Sequence, residues 1–433
     1  MLSLRVKARS LLGTQLRRLL NNSTHRCLTL SASYNAAQNV YKNENECLVI
    51  KWNDGNVDEF PHVYLRENCR CPACYTDERK SRTMYSPKEV NLDITAESAA
   101  WNTEDDQLEV NWEDGHTSHY SFEWLKYLRY RPPGEGQPDG VLRKGVKLWG
   151  QELSEEGNMP TFQFQKLLND DQELYKWLVT LEIETGIAKV ENAPKEANQL
   201  PVLGERVGYL MRNCYGDFYQ LRAIAGETAH EIGYTNSFLP IHTDTTFNQS
   251  APSVTVLHCI EQAEGEGGAN LWVDGFHAAN LLFEEDPESF QILVNTPVVF
   301  RNITLTKRGQ FYAASRRPII RVDHEKRIQQ ATYSDEFRDN HMSIEPKLMK
   351  SFYKAYFRYS ELMLDKKISF WHKMKPGDLM TTNNYRVLHA RSAFKDRGDN
   401  VRFLEVGYFD LDCVLAKIRL LAEEQGIPSP LNL

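Results

Sequence analysis

Residues 239–247 read Leu239-Pro240-Ile241-His242-Thr243-Asp244-Thr245-Thr246-Phe247, a short apolar run that ends in a His-x-Asp pair. Side chains alternate along an extended strand, so His242 and Asp244 are expected on the same side of a strand end. A third candidate ligand stands on another strand-like run, Val387-Leu388-His389. Two histidines and one carboxylate form the facial triad of non-haem Fe(II) oxygenases, whose open positions accept a bidentate 2-oxo acid and O2. We therefore predict that His242, Asp244 and His389 bind iron.

Two further features support this interpretation, because a His-x-Asp pair by itself also occurs in hydrogen-bonded turns. Arg402 follows His389 by thirteen residues, and a buried arginine can clamp the far carboxylate of 2-oxoglutarate through two parallel hydrogen bonds. The run Gly267-Gly268-Ala269-Asn270-Leu271-Trp272 predicts a tight turn into a strand, with Asn270 able to donate to the cosubstrate. The plainer alternatives are a surface ion pair for Arg402 and a turn residue for Asn270.

The regions around these motifs alternate short β-like runs with helical inserts. The β-like runs lie at residues 186–190, 253–259, 270–273, 296–300, 319–322 and 401–408. Helical spacing of apolar residues marks residues 170–180, 346–364 and 411–425. Many short strands without a βαβ rhythm indicate a sandwich or barrel, so the fold class is mainly β with helical inserts.

A separate β-rich unit is predicted at residues 44–130. Strand-like residues 48–52 lead into Asn53-Asp54-Gly55, and the same strand-and-turn pattern returns at residues 108–115. Between them, Cys69, Cys71 and Cys74 supply three thiolates within six residues. A structural zinc needs four ligands. Both His116 and His119 follow in the second hairpin, and spacing alone leaves the choice between them open.

Composition excludes several classes of protein. The chain has 433 residues, of which 41% are hydrophobic, enough for a large core rather than disorder. A net charge of -8 argues against nucleic acid as the main partner. We find no run of 18 apolar residues, so no membrane span is expected. Three of the eight cysteines are clustered and the rest are scattered, which favours a reducing compartment over a disulfide framework.

The first 43 residues differ from the rest of the chain. They contain seven Lys and Arg residues and no Asp or Glu, with leucines at helical spacing. A basic, acid-free amphipathic leader predicts a mitochondrial presequence, and the alternative is the basic tail of a cytoplasmic protein. The expected organisation is a leader at 1–43, a β domain at 44–130, a linker at 131–159, a catalytic domain at 160–425 and a tail at 426–433.

From about residue 45 to 425 the chain resembles the carnitine-biosynthesis dioxygenases, γ-butyrobetaine hydroxylase and trimethyllysine hydroxylase. The stretches that carry the resemblance are Arg66-Glu67-Asn68-Cys69-Arg70-Cys71-Pro72-Ala73-Cys74-Tyr75, Pro160-Thr161-Phe162, Tyr175-Lys176-Trp177-Leu178, Leu257-His258-Cys259-Ile260, Val273-Asp274-Gly275-Phe276 and Lys375-Pro376-Gly377-Asp378. The resemblance implies a double-stranded β-helix (jelly-roll) catalytic core behind a small β-rich zinc-binding N-terminal domain. It also implies a homodimer, with Fe(II), 2-oxoglutarate, O2 and structural zinc, and ascorbate as reductant. It selects His116 as the fourth zinc ligand.

The resemblance also implies a pocket for a quaternary trimethylammonium group, which aromatic faces bind by cation–π attraction. By position, the candidate box is Tyr215, Tyr219, Tyr234 and Tyr408. Tyr219 departs from the family's tryptophan.

Two more departures from the family concern the other end of the substrate. Glu231 stands where γ-butyrobetaine hydroxylases have Asn and trimethyllysine hydroxylases have Asp, and Ser334 replaces an Asn. A carboxylate at position 231 suits the α-ammonium of trimethyllysine and repels the carboxylate of γ-butyrobetaine. Overall similarity favours γ-butyrobetaine, and we take hydroxylation of γ-butyrobetaine to carnitine as the expectation. The alternatives are a trimethyllysine dioxygenase and a catalytically inactive metal-binding jelly-roll protein.

Overall fold

The computed structural model describes residues 37–43, 45–130, 140–222, 232–306, 309–342, 344–395 and 402–431. The chain divides into two compact units, Met1–Pro133 and Gly134–Leu433. Most of the predicted leader and the candidate substrate residue Glu231 lie outside the described residues. Within the described part of the chain, no helix has both the length and the apolar character needed to cross a membrane.

The amino-terminal unit contains three antiparallel sheets and three short helices. Its strands are β1 Ala37–Lys42, β2 Cys47–Trp52, β3 Val57–Pro61, β4 Tyr75–Thr76, β5 Ser81–Arg82, β6 Ala96–Asn102, β7 Gln107–Trp112 and β8 Thr117–Ser121. Its helices are α1 His62–Glu67, α2 Ser86–Glu89 and α3 Phe122–Leu128. The sheets have the orders β1-β2-β3, β4-β5 and β6-β7-β8.

This unit uses one local plan twice, as the repeated sequence pattern predicts. Strands β2 and β7 each end in a buried tryptophan, and a turn that contains a glycine follows each of them. The antiparallel partner strand comes next, β3 after β2 and β8 after β7, and a helix follows each partner. Gly55 and Gly115 have φ of 89° and 78°, a conformation that favours glycine in tight hairpin turns. Trp52 and Trp112 share one hydrophobic core. The two halves therefore bury their apolar faces in a common core.

The predicted leader boundary at residue 43 is wrong. Ala37–Lys42 forms β1 and pairs antiparallel with β2, with Val40 opposite Ile50. Ala37 and Val40 pack against the core of the unit. Apolar contact with a neighbouring strand thus extends the folded domain into residues that composition alone assigns to the leader.

The carboxy-terminal unit is built on two main sheets. Its strands are β9 Thr161–Gln163, β10 Ile187–Glu191, β11 Phe218–Arg222, β12 Leu239–His242, β13 Val254–Glu261, β14 Asn270–Asp274, β15 Val298–Thr306, β16 Gly309–Arg317, β17 Ile320–Val322, β18 Ile328–Ala331, β19 Ser369–His372, β20 Leu379–Asn383, β21 Val387–Arg391 and β22 Phe403–Phe409. A six-stranded sheet has the order β11-β22-β13-β20-β10-β9, and a four-stranded sheet has the order β12-β21-β14-β19. Strands β15-β16 and β17-β18 form separate pairs.

Helices cover the outer faces of these sheets. They are α4 Phe164–Asn169, α5 Asp171–Val179, α6 Gln199–Val207, α7 Gly275–Glu285, α8 Pro287–Asn295, α9 Pro346–Met363 and α10 Leu411–Glu424. Apolar residues of α5, α6 and α10 pack with the six-stranded sheet, and those of α7, α8 and α9 pack beside the four-stranded sheet. A third core, including Trp272 and Tyr408, lies between the sheets. This is the predicted jelly roll with helical inserts, and its interior face carries the candidate site.

The predicted linker at residues 131–159 is only partly a connection. Val141, Trp149 and Leu153 are buried in the cores of the carboxy-terminal unit. The Trp149 indole also donates to the Thr185 carbonyl at 2.6 Å. The Pro- and Gly-rich composition of residues 131–138 therefore does not extend to the residues that follow, which belong to the catalytic unit.

Candidate active site

Two neighbouring strands bring the predicted iron ligands together. His242 ends β12 and stands opposite His389 on β21, so the register places both imidazoles side by side, with ring centroids 4.3 Å apart. Asp244 lies two residues beyond the strand end, in a turn where Thr245 has φ of 50°. Its Oδ1 is 3.4 Å from His242 Nε2 and 3.6 Å from His389 Nε2. We call these three residues the triad; they form a donor set able to hold one metal ion.

Surrounding groups orient the triad. His242 Nδ1 lies 2.8 Å from the Pro240 carbonyl, a contact that makes Nδ1 the donor and leaves Nε2 for a metal. Thr255 donates to Asp244 Oδ2 at 3.1 Å. Trp272 lies against the His389 ring with centroids 5.7 Å apart.

Asn384, which the sequence did not indicate, is hydrogen-bonded to both the backbone amide and the backbone carbonyl of Asp244. Its Oδ1 accepts from the Asp244 amide at 2.7 Å, and its Nδ2 donates to the Asp244 carbonyl at 3.1 Å. It is 2% exposed. The only signal in the sequence is an asparagine pair five residues before His389, which is too common a pattern to identify a role.

The charges within the triad are strongly coupled. Burial alone would raise the pKa of Asp244, but His389, His242 and the Thr255 hydroxyl outweigh it and hold that pKa at about 2. Burial and the neighbouring His242 lower the pKa of His389 to about 4. The ionised Asp244 carboxylate and the neutral His389 imidazole are in the protonation states that a divalent cation requires of its ligands. At His242, burial is outweighed by Asp244 and the Pro240 carbonyl, which raise the pKa, so a metal ion bound there would displace a proton from this imidazole.

Arg402 and Asn270 also come together, from opposite sheets. Arg402 directly precedes β22 of the six-stranded sheet, and Asn270 begins β14 of the four-stranded sheet. Arg402 Nη2 donates to Asn270 Oδ1 at 3.4 Å, and Arg402 Nε donates to Gln262 Oε1 at 3.2 Å. Arg402 and Asn270 are each 3% exposed. Gln262 was not singled out in the sequence, because its contact with Arg402 spans 140 positions.

The four tyrosines predicted for the aromatic box line the same cavity as the triad. The ring centroids of Tyr215 and Tyr219 are 4.9 Å apart, and those of Tyr219 and Tyr408 are 6.1 Å apart. The Tyr219 and Tyr408 hydroxyls are hydrogen-bonded at 2.8 Å. Burial, the Asp244 charge and Tyr219 raise the pKa of Tyr408 well above its ordinary value, so this ring remains neutral. We call Tyr215, Tyr219, Tyr234 and Tyr408 the tyrosine cluster.

The remaining substrate predictions have different outcomes. Ser334 is buried and pairs with His242 as an isolated bridge, but its hydroxyl accepts from the Phe337 amide at 3.3 Å and Ser334 is not among the cavity-lining residues. Glu336 and Phe337, two and three residues later, line the cavity instead. No pattern in the sequence distinguishes Glu336 from other surface carboxylates.

In the amino-terminal unit, the three predicted thiols meet His116. Its Nε2 lies 3.3, 3.6 and 3.7 Å from the sulfurs of Cys69, Cys71 and Cys74. Tetrahedral zinc with ordinary bond lengths would separate sulfur and nitrogen by about 3.6 Å. His119 instead faces outward, with its side chain 53% exposed and Nδ1 3.8 Å from Glu109. We call the three cysteines and His116 the thiol cluster.

The buried side chain of Arg66 connects the cysteines of the thiol cluster to the turn that carries His116. Arg66 donates from Nη1 to Cys74 Sγ at 3.6 Å and from Nε to Asp114 Oδ2 at 2.9 Å. Asp114 Oδ1 in turn accepts from the His116 amide at 3.0 Å. Burial raises the pKa of Cys74 to about 12, so the protein by itself does not favour thiolate there. A bound cation would supply the missing stabilisation.

Two protein families have sequence models that match this chain. The sequence model of the taurine catabolism dioxygenase TauD, TfdA family matches residues 142–408. That of the γ-butyrobetaine hydroxylase-like N-terminal domain matches residues 40–126. The first match contains the triad, Arg402, Asn270 and the tyrosine cluster, and the second contains the thiol cluster.

Individual relatives are similar over most of their length. The γ-butyrobetaine dioxygenases of Pongo abelii and Homo sapiens are each 30% identical over 375 residues, covering 86% of this chain and 94% of theirs. The mitochondrial trimethyllysine dioxygenase of Mus musculus is 29% identical over 406 residues, covering 93% of this chain and 91% of its own. This chain therefore belongs to the TauD/TfdA family of dioxygenases.

Proposed function

We propose that this enzyme hydroxylates a small trimethylammonium compound in a reaction that uses Fe(II), 2-oxoglutarate and O2. The observation that carries the proposal is the single cavity that holds both the triad and the tyrosine cluster. A divalent metal fits the donor set, since two imidazoles and one ionised carboxylate converge and the His242 tautomer presents Nε2. When bound, Fe(II) and 2-oxoglutarate supply the O2 activation that places one oxygen atom in a C–H bond of the substrate.

Separate residues of the chain would bind the iron and the 2-oxoglutarate. His242, Asp244 and His389 would hold the iron. Thr255 donates to the Asp244 carboxylate, and Asn384 fixes the backbone of Asp244 through its amide and carbonyl. Arg402 would bind the far carboxylate of 2-oxoglutarate, with Asn270 beside it. Because these two residues are almost fully buried, a charge pair formed there is poorly screened by water and correspondingly strong.

The tyrosine cluster would bind the quaternary ammonium group. A trimethylammonium group has no N–H to donate, so aromatic faces are the side chains that recognise it best. The relatives named above act on γ-butyrobetaine and on trimethyllysine. On overall similarity γ-butyrobetaine is the first candidate substrate, with carnitine as product and trimethyllysine as the second candidate.

A substrate screen tests this proposal. Purified enzyme should consume 2-oxoglutarate and add one oxygen atom to a trimethylammonium compound in the presence of Fe(II), with ascorbate as reductant, as read by mass spectrometry. A matched dimethylamine analogue, which can lose its charge, should react more weakly. Absence of any coupled or uncoupled 2-oxoglutarate turnover would support the inactive jelly-roll alternative.

We further propose that the thiol cluster binds a structural zinc. Three sulfurs and one imidazole nitrogen at tetrahedral spacing fill a closed zinc site and leave no position for a substrate. The ion would tie the loop after α1 to the turn between β7 and β8.

We expect Cys71→Ser to release zinc and lower the thermal stability of the amino-terminal unit. A closed structural site contributes directly to folding, and each kcal/mol lost lowers Tm by about 4–8 °C in a domain of this size. Metal analysis and a thermal melt check the result. His116→Ala should also release zinc, whereas His119→Ala and Cys47→Ser should retain it. Retention of zinc by Cys71→Ser would contradict the assignment.

Mitochondrial location is a further proposal. The acid-free basic leader favours it, and the trimethyllysine dioxygenases of several vertebrates are named mitochondrial. Residues 1–36 fused to a fluorescent reporter should direct it to mitochondria, and replacing Arg17 and Arg18 with glutamine should weaken import. Deletion of residues 1–36 should leave Tm unchanged, whereas deletion of 1–43 removes β1 and should lower it. A cytoplasmic reporter would contradict the presequence.

The predicted homodimer can be tested by light scattering on the purified enzyme.

A further inference from the structure

The side chain of Asn384 joins three segments of the catalytic unit. Asn384 lies in the turn between β20 and β21, five residues before His389. Its Oδ1 accepts from the Asp244 amide at 2.7 Å. Its Nδ2 donates to the Asp244 carbonyl and to the Pro252 carbonyl, each at 3.1 Å. The turn after β12, the segment before β13 and the turn before β21 therefore meet at one side-chain amide.

These contacts stand where the strand pairing of the triad ends. The register between β12 and β21 ends at the His242–His389 pair, and Asp244 lies two residues beyond it. Thr245 has φ of 50°, so the backbone leaves the strand direction at this point. The two hydrogen bonds from Asn384 thus hold the backbone of the carboxylate ligand in place of a sheet ladder.

The hydrogen-bonding pattern at Asn384 requires a side-chain amide. An asparagine offers one acceptor oxygen and two N–H donors, and the three contacts use the oxygen and both donors. Aspartate has the same size but loses both donors to the two carbonyls, and alanine loses all three contacts. Asn384 is 2% exposed, so water does not readily replace the lost partners.

Asn384 and Thr255 hold Asp244 against the same strand. Thr255 belongs to β13 and donates to Asp244 Oδ2 at 3.1 Å. The Asn384 side chain donates to the Pro252 carbonyl, and its backbone amide donates to the Ser253 carbonyl at 2.6 Å, both just before β13. The backbone and the carboxylate of Asp244 are therefore fixed relative to one strand. A metal ligand needs this precision, since coordination distances vary by only about 0.2 Å.

We propose that Asn384 is a positioning residue of the metal site, which acts through the backbone of Asp244 and sets the affinity of the triad for its divalent cation. The inference rests on the proposed function, of which the iron site is a part. Loss of a group that orients a metal ligand costs roughly ten- to a hundredfold in metal affinity, and a loss in this range is expected for Asn384→Ala.

Asn383 is a matched control at the adjacent position. It is also a buried asparagine, 5% exposed. Its Nδ2 donates to the Leu181 carbonyl at 3.3 Å and to Glu182 Oε2 at 3.1 Å, and its Oδ1 accepts from the Tyr385 amide at 2.9 Å. These partners do not include a residue of the triad. Asn383→Ala should therefore lower Tm without weakening metal binding.

Titration of the metal-free full chain with Co(II) tests the proposal. Calorimetry at a temperature well below each melting transition gives the affinity, and the ligand-field absorption of bound Co(II) reports on the geometry of its donors. Asp244→Ala, measured in parallel, gives the signal that does not come from the triad, including Co(II) held by the thiol cluster. Asn384→Ala and the isosteric Asn384→Asp should bind Co(II) at the triad roughly ten- to a hundredfold more weakly than the parent, with an altered spectrum. Asn383→Ala should keep the parental affinity and spectrum.

The outcomes separate the inference from the function on which it rests. If the parent binds no more Co(II) than Asp244→Ala does, the iron site and the proposed function fail, and the role of Asn384 fails with them. If the parent binds Co(II) at the triad and both Asn384 variants match its affinity and spectrum, the positioning role alone is wrong. An equal loss of affinity in Asn383→Ala would show that metal binding follows general stability and would also overturn the proposal.

Discussion

Replacement of Asp244 by alanine is expected to abolish turnover while the protein remains folded. The carboxylate supplies one of the three protein ligands of the proposed iron site and the only protein charge in direct contact with the metal. The side chain also accepts from Thr255, so its removal leaves one buried hydroxyl without that partner, a moderate cost of about 1–3 kcal/mol. The backbone contacts of residue 244 with Asn384 do not depend on the carboxylate.

The experiment needs a binding measurement as well as an assay. Fe(II) or Co(II) titration by calorimetry should show tight binding to the parent and weak binding to Asp244→Ala, with a thermal melt to confirm folding. Asp412→Ala, at the exposed start of α10, is the matched carboxylate control and should bind metal like the parent. Near-parental turnover by Asp244→Ala in metal-controlled assays would rule out the iron assignment.

The second large effect is expected at Arg402. Replacing it with alanine should raise the KM for 2-oxoglutarate far more than the KM for the trimethylammonium substrate. Loss of one partner from a desolvated charge pair costs about 2–5 kcal/mol, or roughly tens- to thousands-fold in affinity. Arg402 is buried between the two sheets, beside Asn270. This burial supports a loss of 2-oxoglutarate affinity at the upper end of that range.

Two other arginines serve as controls for this experiment. Arg391 is buried two residues after His389, but it donates to the carbonyls of Gly233, Thr235 and Ser237. Arg391→Ala should therefore lower Tm and disturb the Tyr234 turn. Arg222 lies over the Phe403 ring at 3.8 Å and is exposed, so Arg222→Ala should leave the KM for 2-oxoglutarate unchanged. An equal rise in both KM values for Arg402→Ala would identify Arg402 as a structural residue.

Local pattern was sufficient for much of the fold and for part of the site. Short β-like runs predicted β13, β14 and β22 within a few residues, and these strands are buried on both faces. Helical spacing predicted α5, α9 and α10, because burial of one helix face imposes a period on the sequence. The two-residue spacing of His242 and Asp244 indicated a shared face, although Asp244 lies beyond the strand. Helices α7 and α8 were missed, since their apolar residues are continuous with the neighbouring strands and carry no distinct boundary.

The sequence by itself supplied the side chains of the proposed sites: two histidines and a carboxylate for the proposed iron site, three clustered cysteines for the proposed zinc site, and four tyrosines for the proposed aromatic box. Residue type and spacing left several of the contacts between these residues open, and the tertiary structure decided them. It placed His116, which the family resemblance favours but spacing does not, and not His119 at the cysteines. It also joined Arg402 to Asn270 across two sheets. It also brought Asn384 behind Asp244 and Glu336 into the cavity. The physical reason is that residue type and spacing act within one element, whereas these contacts depend on strand order and register between elements far apart in the chain.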